Sequence, residues 1–356
     1  MRKLVNLTLP FYIERILAVT VCVTLCACVP ILSIIALLNE LIRICLSWCH
    51  INTTAEEKVV VISGCDSGFG YLTAHKLVKK GFTVFAGCYT SKGLEFWKET
   101  ASELTKGKII PFNLDITNQE DIDKAVELVR NYGNCTEKGI WALVNNAGIK
   151  LSIPDDWMSV EDYQRMIEVN FYGHVRMTHA FKPLIKLGSG RFVFVGSITA
   201  HVVGPEVSPY ASAKSALVTY AIGLRYELMD SKVKVILISP GFHKPPGRGS
   251  DWLMDAFESR WHSLPENVKA KYPSHFVKKR FGFKRRFLYL IHFGNNITNV
   301  TASLTKAVAA RYPQNNYWVG LDAAMGCGLS VAPEYTNYIS WILIRTVLRD
   351  YTGPMP

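Results

Sequence analysis

From residue 58 onward, short runs of β-branched and aromatic residues alternate with stretches of helical periodicity, and this rhythm limits the chain to very few folds. The strand-like runs are "KVVVISG" (58–64), "FTVFAGCY" (82–89), "KIIPFNLDIT" (108–117), "GIWALVNNAG" (139–148), "GRFVFVGS" (190–197) and "KVKVILISPG" (232–241). Between them, residues 72–80, 118–131, 160–187 and 210–229 carry apolar residues at helical spacing. Strands that alternate with helices are joined by βαβ crossovers, so the expectation is an α/β fold with a Rossmann-type, doubly wound parallel sheet. Continuous apolar strands fit a sheet covered on both faces. Residues 242–312 are less regular and read as a lid or substrate segment.

The first strand runs directly into "SGCDSGFG" (63–70), with Gly64, Gly68 and Gly70 spaced G-x-x-x-G-x-G. A turn between strand and helix needs residues without Cβ when backbone amides must approach a pyrophosphate at a helix N-terminus. A glycine pattern alone is weak; its place between a strand and a helix is the context that gives it meaning.

Further along, Ser197 stands thirteen positions before Tyr210, and Lys214 follows the tyrosine by four. A Tyr-x-x-x-Lys pair occurs by chance in many helices, where it places two amphipathic side chains on one face. Beside a bound nicotinamide the same residues acquire a chemistry. A phenol with pKa about 10 is a poor base at neutral pH. A cation one helical turn away lowers that value, and a serine at a strand's carboxyl end can hydrogen-bond a substrate oxygen.

Taken in order, the glycine turn, "LDIT" (114–117), "NNAG" (145–148), Asn170, Ser197, "YASAK" (210–214) and "SPG" (239–241) resemble the signature of the short-chain dehydrogenase/reductase family. "GCDSGFG", "GFTVFAG" (81–87) and "AVAARYPQNNYWVGLDA" (307–323) are similar to its membrane-anchored retinol dehydrogenase and 17β-hydroxysteroid dehydrogenase branch. The resemblance implies catalytic roles for Ser197, Tyr210 and Lys214, with Asn170 supporting a water-linked proton relay to the lysine. It implies a dinucleotide site built from Gly64, Asp66, Ser67, Gly68, Phe69, Gly70, Asp115, Asn145, Ala147, Gly148, Tyr210, Lys214, Pro240 and Gly241. Asp115 would serve the adenine, and Asn145 with Gly148 the wall beside the dinucleotide. The second strand ends "AGCYT", with neither the carboxylate that usually holds ribose hydroxyls nor an arginine for a 2′-phosphate. Relatives with a similarly neutral end generally use NAD, so the resemblance implies NAD as the cofactor, with NADP left open. One departure is Pro245, standing where the branch usually has a threonine on the nicotinamide carboxamide; proline cannot donate that bond. His201 and His243 receive no role.

The expected substrate is a lipophilic alcohol such as a retinoid or steroid, held against an apolar wall from the segment 242–290. The alternatives are a hydroxy acid met by a cation such as Arg248, and a catalytically weak NAD-binding protein.

Ile16 to Leu38 is uncharged throughout, long enough to cross a hydrocarbon core of about 30 Å. A permanent membrane anchor (1–50) is preferred over a cleaved signal peptide, because the run exceeds a usual h-region. The dehydrogenase domain then covers 57–330, and 331–356 is an apolar tail. Arg2, Lys3 and Arg15 before the span, with five N-x-[S/T] sequons at Asn6, Asn52, Asn134, Asn296 and Asn299, favour a luminal body on an endoplasmic reticulum membrane. The net charge of +11 is densest in "KKRFGFKRRF" (278–287), which suits a lipid interface or a solvated face better than nucleic acid. Nine cysteines without a C-x-x-C pair near histidines indicate neither a disulfide framework nor a metal site. A homodimer is implied by the resemblance alone.

Overall fold

In the computed structural model, residues 53–100, 106–243, 251–272 and 296–320 are described, with Leu38, Phe276, Lys278, Lys279 and Ala323. Contacts divide the chain into two units. One comprises Thr53–Ala309 and Asn315–Pro356 and carries the sheet; the other is Met1–Asn52 with Ala310–Gln314, described only at Leu38, which is helical, and at 310–314.

The described residues form a seven-stranded sheet of β1 (Val59–Ser63), β2 (Thr83–Cys88), β3 (Lys108–Asn113), β4 (Ala142–Asn145), β5 (Arg191–Val195), β6 (Lys234–Pro240) and β7 (Asn316–Val319). Its order is β3-β2-β1-β4-β5-β6-β7, and every neighbouring pair is parallel. The chain therefore winds outward from β1 in one direction, returns, and winds outward from β4 in the other. This leaves a crevice beyond the carboxyl ends of β1 and β4. All five residues of β1 are buried, and their alternation feeds two cores. Val59 and Val61 join Phe85, Leu143 and Phe192 on one face, while Val60 and Ile62 join Val84, Val144 and Val193 on the other.

Helices α1 (Gly68–Lys79), α2 (Ser91–Thr100), α3 (Gln119–Arg130), α4 (Cys135–Lys138), α5 (Val160–Ile167), α6 (Gly173–Leu187), α7 (Ser208–Glu227), α8 (Asp251–Ser263), α9 (Glu266–Lys269) and α10 (Ile297–Ala309) surround the sheet. Ala74, Leu77 and Val78 of α1 pack with Val300, Leu304 and Val308 of α10 on one side. Ile122 and Val129 of α3, Met177 and Phe181 of α6, and Leu217 and Leu224 of α7 fill the other. Each such side chain contributes about 1.5–3 kcal/mol by leaving water, so these stripes hold the crossovers in place. Helix α3 starts where expected because the Asn118 side chain accepts from Glu120 N at 2.9 Å, with Glu120 and Asp121 in the first turn. The fully buried Arg191 donates to Ala307 O (2.9 Å) and Val308 O (3.0 Å) at the end of α10, its guanidinium 4.1 Å over the Trp141 ring.

Several expectations are revised. Residues 160–187 are α5 and α6 joined by a π-helical turn, Glu168–Tyr172, a widening that hydrophobic periodicity does not reveal. Helices α2, α4, α8, α9 and α10 and strand β7 were not expected; β7 is only four residues, "NYWV", and α8, α9 and α10 lie in the stretch read as irregular. Cys65, Cys88 and Cys135 are buried free thiols, as expected of small apolar side chains, and burial pushes Cys88 up to about 12. Among the described residues there is no cluster able to hold a metal and no helix long and apolar enough to cross a membrane. The expected span (16–38, apart from Leu38), Pro245, Arg248, the basic run 278–287 apart from Lys278 and Lys279, and the tail lie outside the described residues.

Candidate active site

The carboxyl end of β1 passes into the glycine turn and α1. A Cβ on Gly70 would stand 2.2 Å from Gly64 O and 2.6 Å from Asn146 Nδ2, and one on Gly64 would stand 2.8 Å from the Cα of Ala147. At Gly64 and Gly70 the turn is thus packed against the loop after β4 with no room for a side chain. Gly68 opens α1 with φ +64, and a Cβ there would meet nothing within 4 Å. Ser67, the residue before α1, makes no side-chain capping bond, and the first turn of α1 holds no acid. A helix start without a side-chain cap, reached over bare backbone, could hold the pyrophosphate of a dinucleotide, and Ser67, Gly68, Phe69 and Gly70 are the residues that would face it.

Asp66, inside the turn, spends its carboxylate on the end of β2. It accepts from Tyr89 N (3.0 Å), Thr90 N (2.7 Å) and Thr90 Oγ1 (2.6 Å). A carboxylate therefore does occupy the end of the second strand, supplied from the glycine turn rather than from β2. Asp115, past β3, accepts from Thr117 N (2.8 Å) and Thr117 Oγ1 (2.7 Å), which shapes the turn leading to α3.

The two asparagines after β4 divide differently from the expectation. Asn145 is fully buried and donates through Nδ2 to Thr178 Oγ1 at 3.1 Å, so its amide faces α6 rather than the dinucleotide crevice. Asn146, which received no role from the sequence, donates to Ser63 O (2.9 Å) and Gly64 O (3.0 Å), bracing the glycine turn from below. Ser63 Oγ completes the brace by accepting from Asn146 N and Ala147 N, both at 3.1 Å. The strand's inside–outside alternation separates these neighbours, and "NNAG" read as a unit hides it.

Gly148 brings the rest of the site together: a Cβ there would stand 2.7 Å from Asn170 Oδ1 and 3.6 Å from Lys214 Nζ. Asn170 sits in the π-helical turn, fully buried, accepting from Ile149 N (3.1 Å) and donating to Ile149 O (2.9 Å). Lys214, on α7, is 3% exposed and donates to Val195 O at the end of β5 (2.8 Å). Its ammonium lies 5.9 Å from the centroid of the Tyr210 ring. Ser197 follows β5 and accepts from Thr199 N (3.2 Å) and Thr199 Oγ1 (2.9 Å), and its hydroxyl acts to lower the Tyr210 phenol. Pro240 closes β6, and Gly241 donates to Val319 O of β7 at 2.9 Å, so both sit at the same carboxyl edge. His243 packs edge-on to Phe69, with ring centroids 6.2 Å apart, and His201 packs on Trp318 at 4.6 Å.

Burial adds a cost that the sequence does not show. Burial pushes the Tyr210 phenol up, and the Ser197 hydrogen bond opposes it. Burial also pushes Lys214 down to about 8. Burial thus disfavours the charged form of both groups, the phenolate of Tyr210 and the ammonium of Lys214.

Apart from the two sheet cores, Trp157, Ile153, Phe257, Tyr272 and Phe276 form a third, mainly aromatic cluster that Leu151 and Trp261 extend. Arg260 of α8 grips Asp162 of α5 through both carboxylate oxygens (2.7 and 2.8 Å), fastening the segment after β6 over the segment after β4.

Comparison with known proteins places these features in company. The family model described as "short chain dehydrogenase" matches residues 58–253. The 3beta-hydroxysteroid dehydrogenase dhs-16 of Caenorhabditis elegans is 36% identical over 294 residues, covering 80% of this chain and 74% of that protein. Retinol dehydrogenase 5 of Mus musculus is 32% identical over 295 residues, covering 82% and 90%. A short-chain dehydrogenase from Burkholderia cenocepacia, solved in complex with NADP, superposes with a TM-score of 0.59 at 21% identity, over 81% of this chain and 99% of that one.

Proposed function

Because this chain belongs to the short-chain dehydrogenase/reductase family, we propose that Ser197, Tyr210 and Lys214 interconvert a lipophilic alcohol and its carbonyl. The protein is a nicotinamide-dependent oxidoreductase of the hydroxyl/carbonyl couple. NAD is the preferred cofactor of this reading. The observation that carries it is the meeting of the serine, tyrosine and lysine at the carboxyl edge of the sheet, across Gly148 from the glycine turn.

A nicotinamide bound in this crevice supplies hydride exchange with the carbinol carbon. The chain's own groups handle the proton and the oxygen. Tyr210, as phenolate, takes the hydroxyl proton, and in the reverse direction the phenol returns it to the carbonyl oxygen. Ser197, next to the phenol, hydrogen-bonds the same substrate oxygen and so holds it at the proton-transfer distance. Lys214 stabilises the phenolate when protonated, and Asn170 fixes the Ile149 backbone beside it.

A steroid or retinoid is the substrate class of this reading. The aromatic cluster after β4 and β6 supports an apolar wall, and the two relatives act, by name, on a hydroxysteroid and a retinol. The uncharged run Ile16–Leu38 supports an anchor in a membrane of the endoplasmic reticulum, where such substrates partition. Exposed sequon asparagines at Asn134, Asn296 and Asn299 support a luminal body.

The test is a panel of retinoids, steroids and hydroxy acids, each assayed with NAD and NADP on the wild-type protein and on Tyr210→Phe. Turnover of a steroid or retinoid with NAD, lost in Tyr210→Phe with NAD binding retained, is the expected result. Undiminished turnover in the variant removes the proposed base, and turnover of hydroxy acids alone replaces the substrate class.

A further inference from the structure

Lys150 lies two residues beyond Gly148, and neither the glycine turn nor the Ser197–Tyr210–Lys214 group requires it. Its ammonium stands 5.3 Å from the centroid of the Tyr210 ring and 4.9 Å from that of Phe242. The tyrosine ring thus has two ammonium groups within 6 Å of its centroid, Lys214 from its own helix at 5.9 Å and Lys150 from the loop after β4. We propose that Lys150 is a second cation for Tyr210, favouring its phenolate through space and so setting the pH at which it accepts the substrate proton. The proposal rests on Tyr210 as the proton acceptor.

The loop makes this a held position. Ile149, the preceding residue, is bonded at both its N–H and its carbonyl by the buried Asn170 side chain. Leu151, the following residue, packs into the aromatic cluster around Trp157. With both neighbours fixed, the Lys150 stem leaves the backbone in a defined direction, and the faces of Tyr210 and Phe242 receive its charge. The side chain remains partly exposed, unlike Lys214.

The need for a second charge follows from the first lysine's burial. Burial pushes Lys214 down to about 8 and raises Tyr210, so it works against the charge of both groups, and a second ammonium beside the ring offsets part of that cost. Around the phenol, the described residues bring Lys214 from α7, Lys150 from the β4 loop, and the uncharged Ser197 from the end of β5. His243, beyond β6, is turned to Gly241 O and the Phe69 ring. At this separation, with an effective dielectric of about 40, one unit charge moves the phenol's midpoint by about one pH unit.

The experiment reads Tyr210 itself and needs no substrate. The full chain, in detergent micelles and saturated with NAD, is titrated by ultraviolet difference spectroscopy, each protein against its own Tyr210→Phe counterpart. Lys150→Met keeps the apolar stem and the ring packing while removing the charge; Lys150→Arg keeps the charge. The expected result is a Tyr210 midpoint about one pH unit higher in Lys150→Met and near wild type in Lys150→Arg. A Lys150→Met midpoint that coincides with wild type overturns the proposal, as does an equal shift in Lys150→Arg. Should Lys150→Met fail to fold by thermal melting, Lys150→Gln takes its place with the same expected shift. Because the midpoint exists whether or not any alcohol turns over, failure of the substrate panel and failure of this proposal are separate results.

Discussion

Replacing Lys214 by methionine should abolish turnover and yet stabilise the protein at neutral pH. Lys214 is 3% exposed, and burial lowers its ammonium from an ordinary 10.5 to about 8. At about 1.4 kcal/mol per pH unit, that difference costs the folded state about 3 kcal/mol wherever the lysine is protonated. The sign follows from proton counting. Between pH 8 and 10.5 the unfolded chain holds a proton that the folded chain has released, so wild-type stability rises with pH across that window and the penalty is present in full below it. Methionine has a similar stem and no charge to desolvate. It forfeits the 2.8 Å hydrogen bond to Val195 O, worth about 1 kcal/mol. The variant should thus exceed wild type by about 2 kcal/mol at pH 7, the advantage fading by about pH 10. Urea unfolding of both proteins across that range, followed by circular dichroism, measures the gap. A variant less stable than wild type at pH 7, or a gap that does not change with pH, refutes the argument.

The fully buried His174, one turn beyond Asn170 on α6, is held down at about 3, first by burial and then by the charge of Lys214. The unfolded histidine binds its proton near 6.5, so native stability should fall by about 1.4 kcal/mol per pH unit below that value. His174→Gln should remove one proton from the slope, and acid-side urea midpoints that keep the wild-type slope would count against it. Asn146→Ala leaves Ser63 O and Gly64 O without their donor, at a cost of about 2 kcal/mol, and should weaken NAD binding about tenfold. Titration calorimetry showing wild-type affinity for NAD in that variant contradicts its role as the brace.

The sheet was legible because its strands are buried on both faces and announce themselves as unbroken apolar runs, as in "VVVIS". Helix α3 was legible through its ends, since Asn118 and the acids after it make local bonds that depend on no distant residue. What escaped depends on partners far away in sequence. Strand β7 forms because Tyr317 and Val319 pack under α10, and four mixed residues carry no period of their own. The Ser197–Tyr210–Lys214 constellation was singled out by the family resemblance that the ordered motifs carry, not by its spacing alone. The balance of its charges was not legible, because desolvation depends on what covers Tyr210 and Lys214. The opposite allegiances of Asn145 and Asn146 needed the orientation of β4. Lys150 became visible only once Phe242 was folded against it.

Asp66 joins two jobs that a designer would prefer to keep apart. With NAD bound as proposed, its adenine ribose at the end of β2, this negative group would discourage a 2′-phosphate, and the same oxygens tie down the elbow from β2 into α2. Retuning the enzyme from one dinucleotide to the other by deleting that acid would unfasten the elbow at the moment it removed the repulsion. Exchange of coenzyme choice in this scaffold calls for a paired change, in which Thr90 or its neighbours acquire a replacement latch.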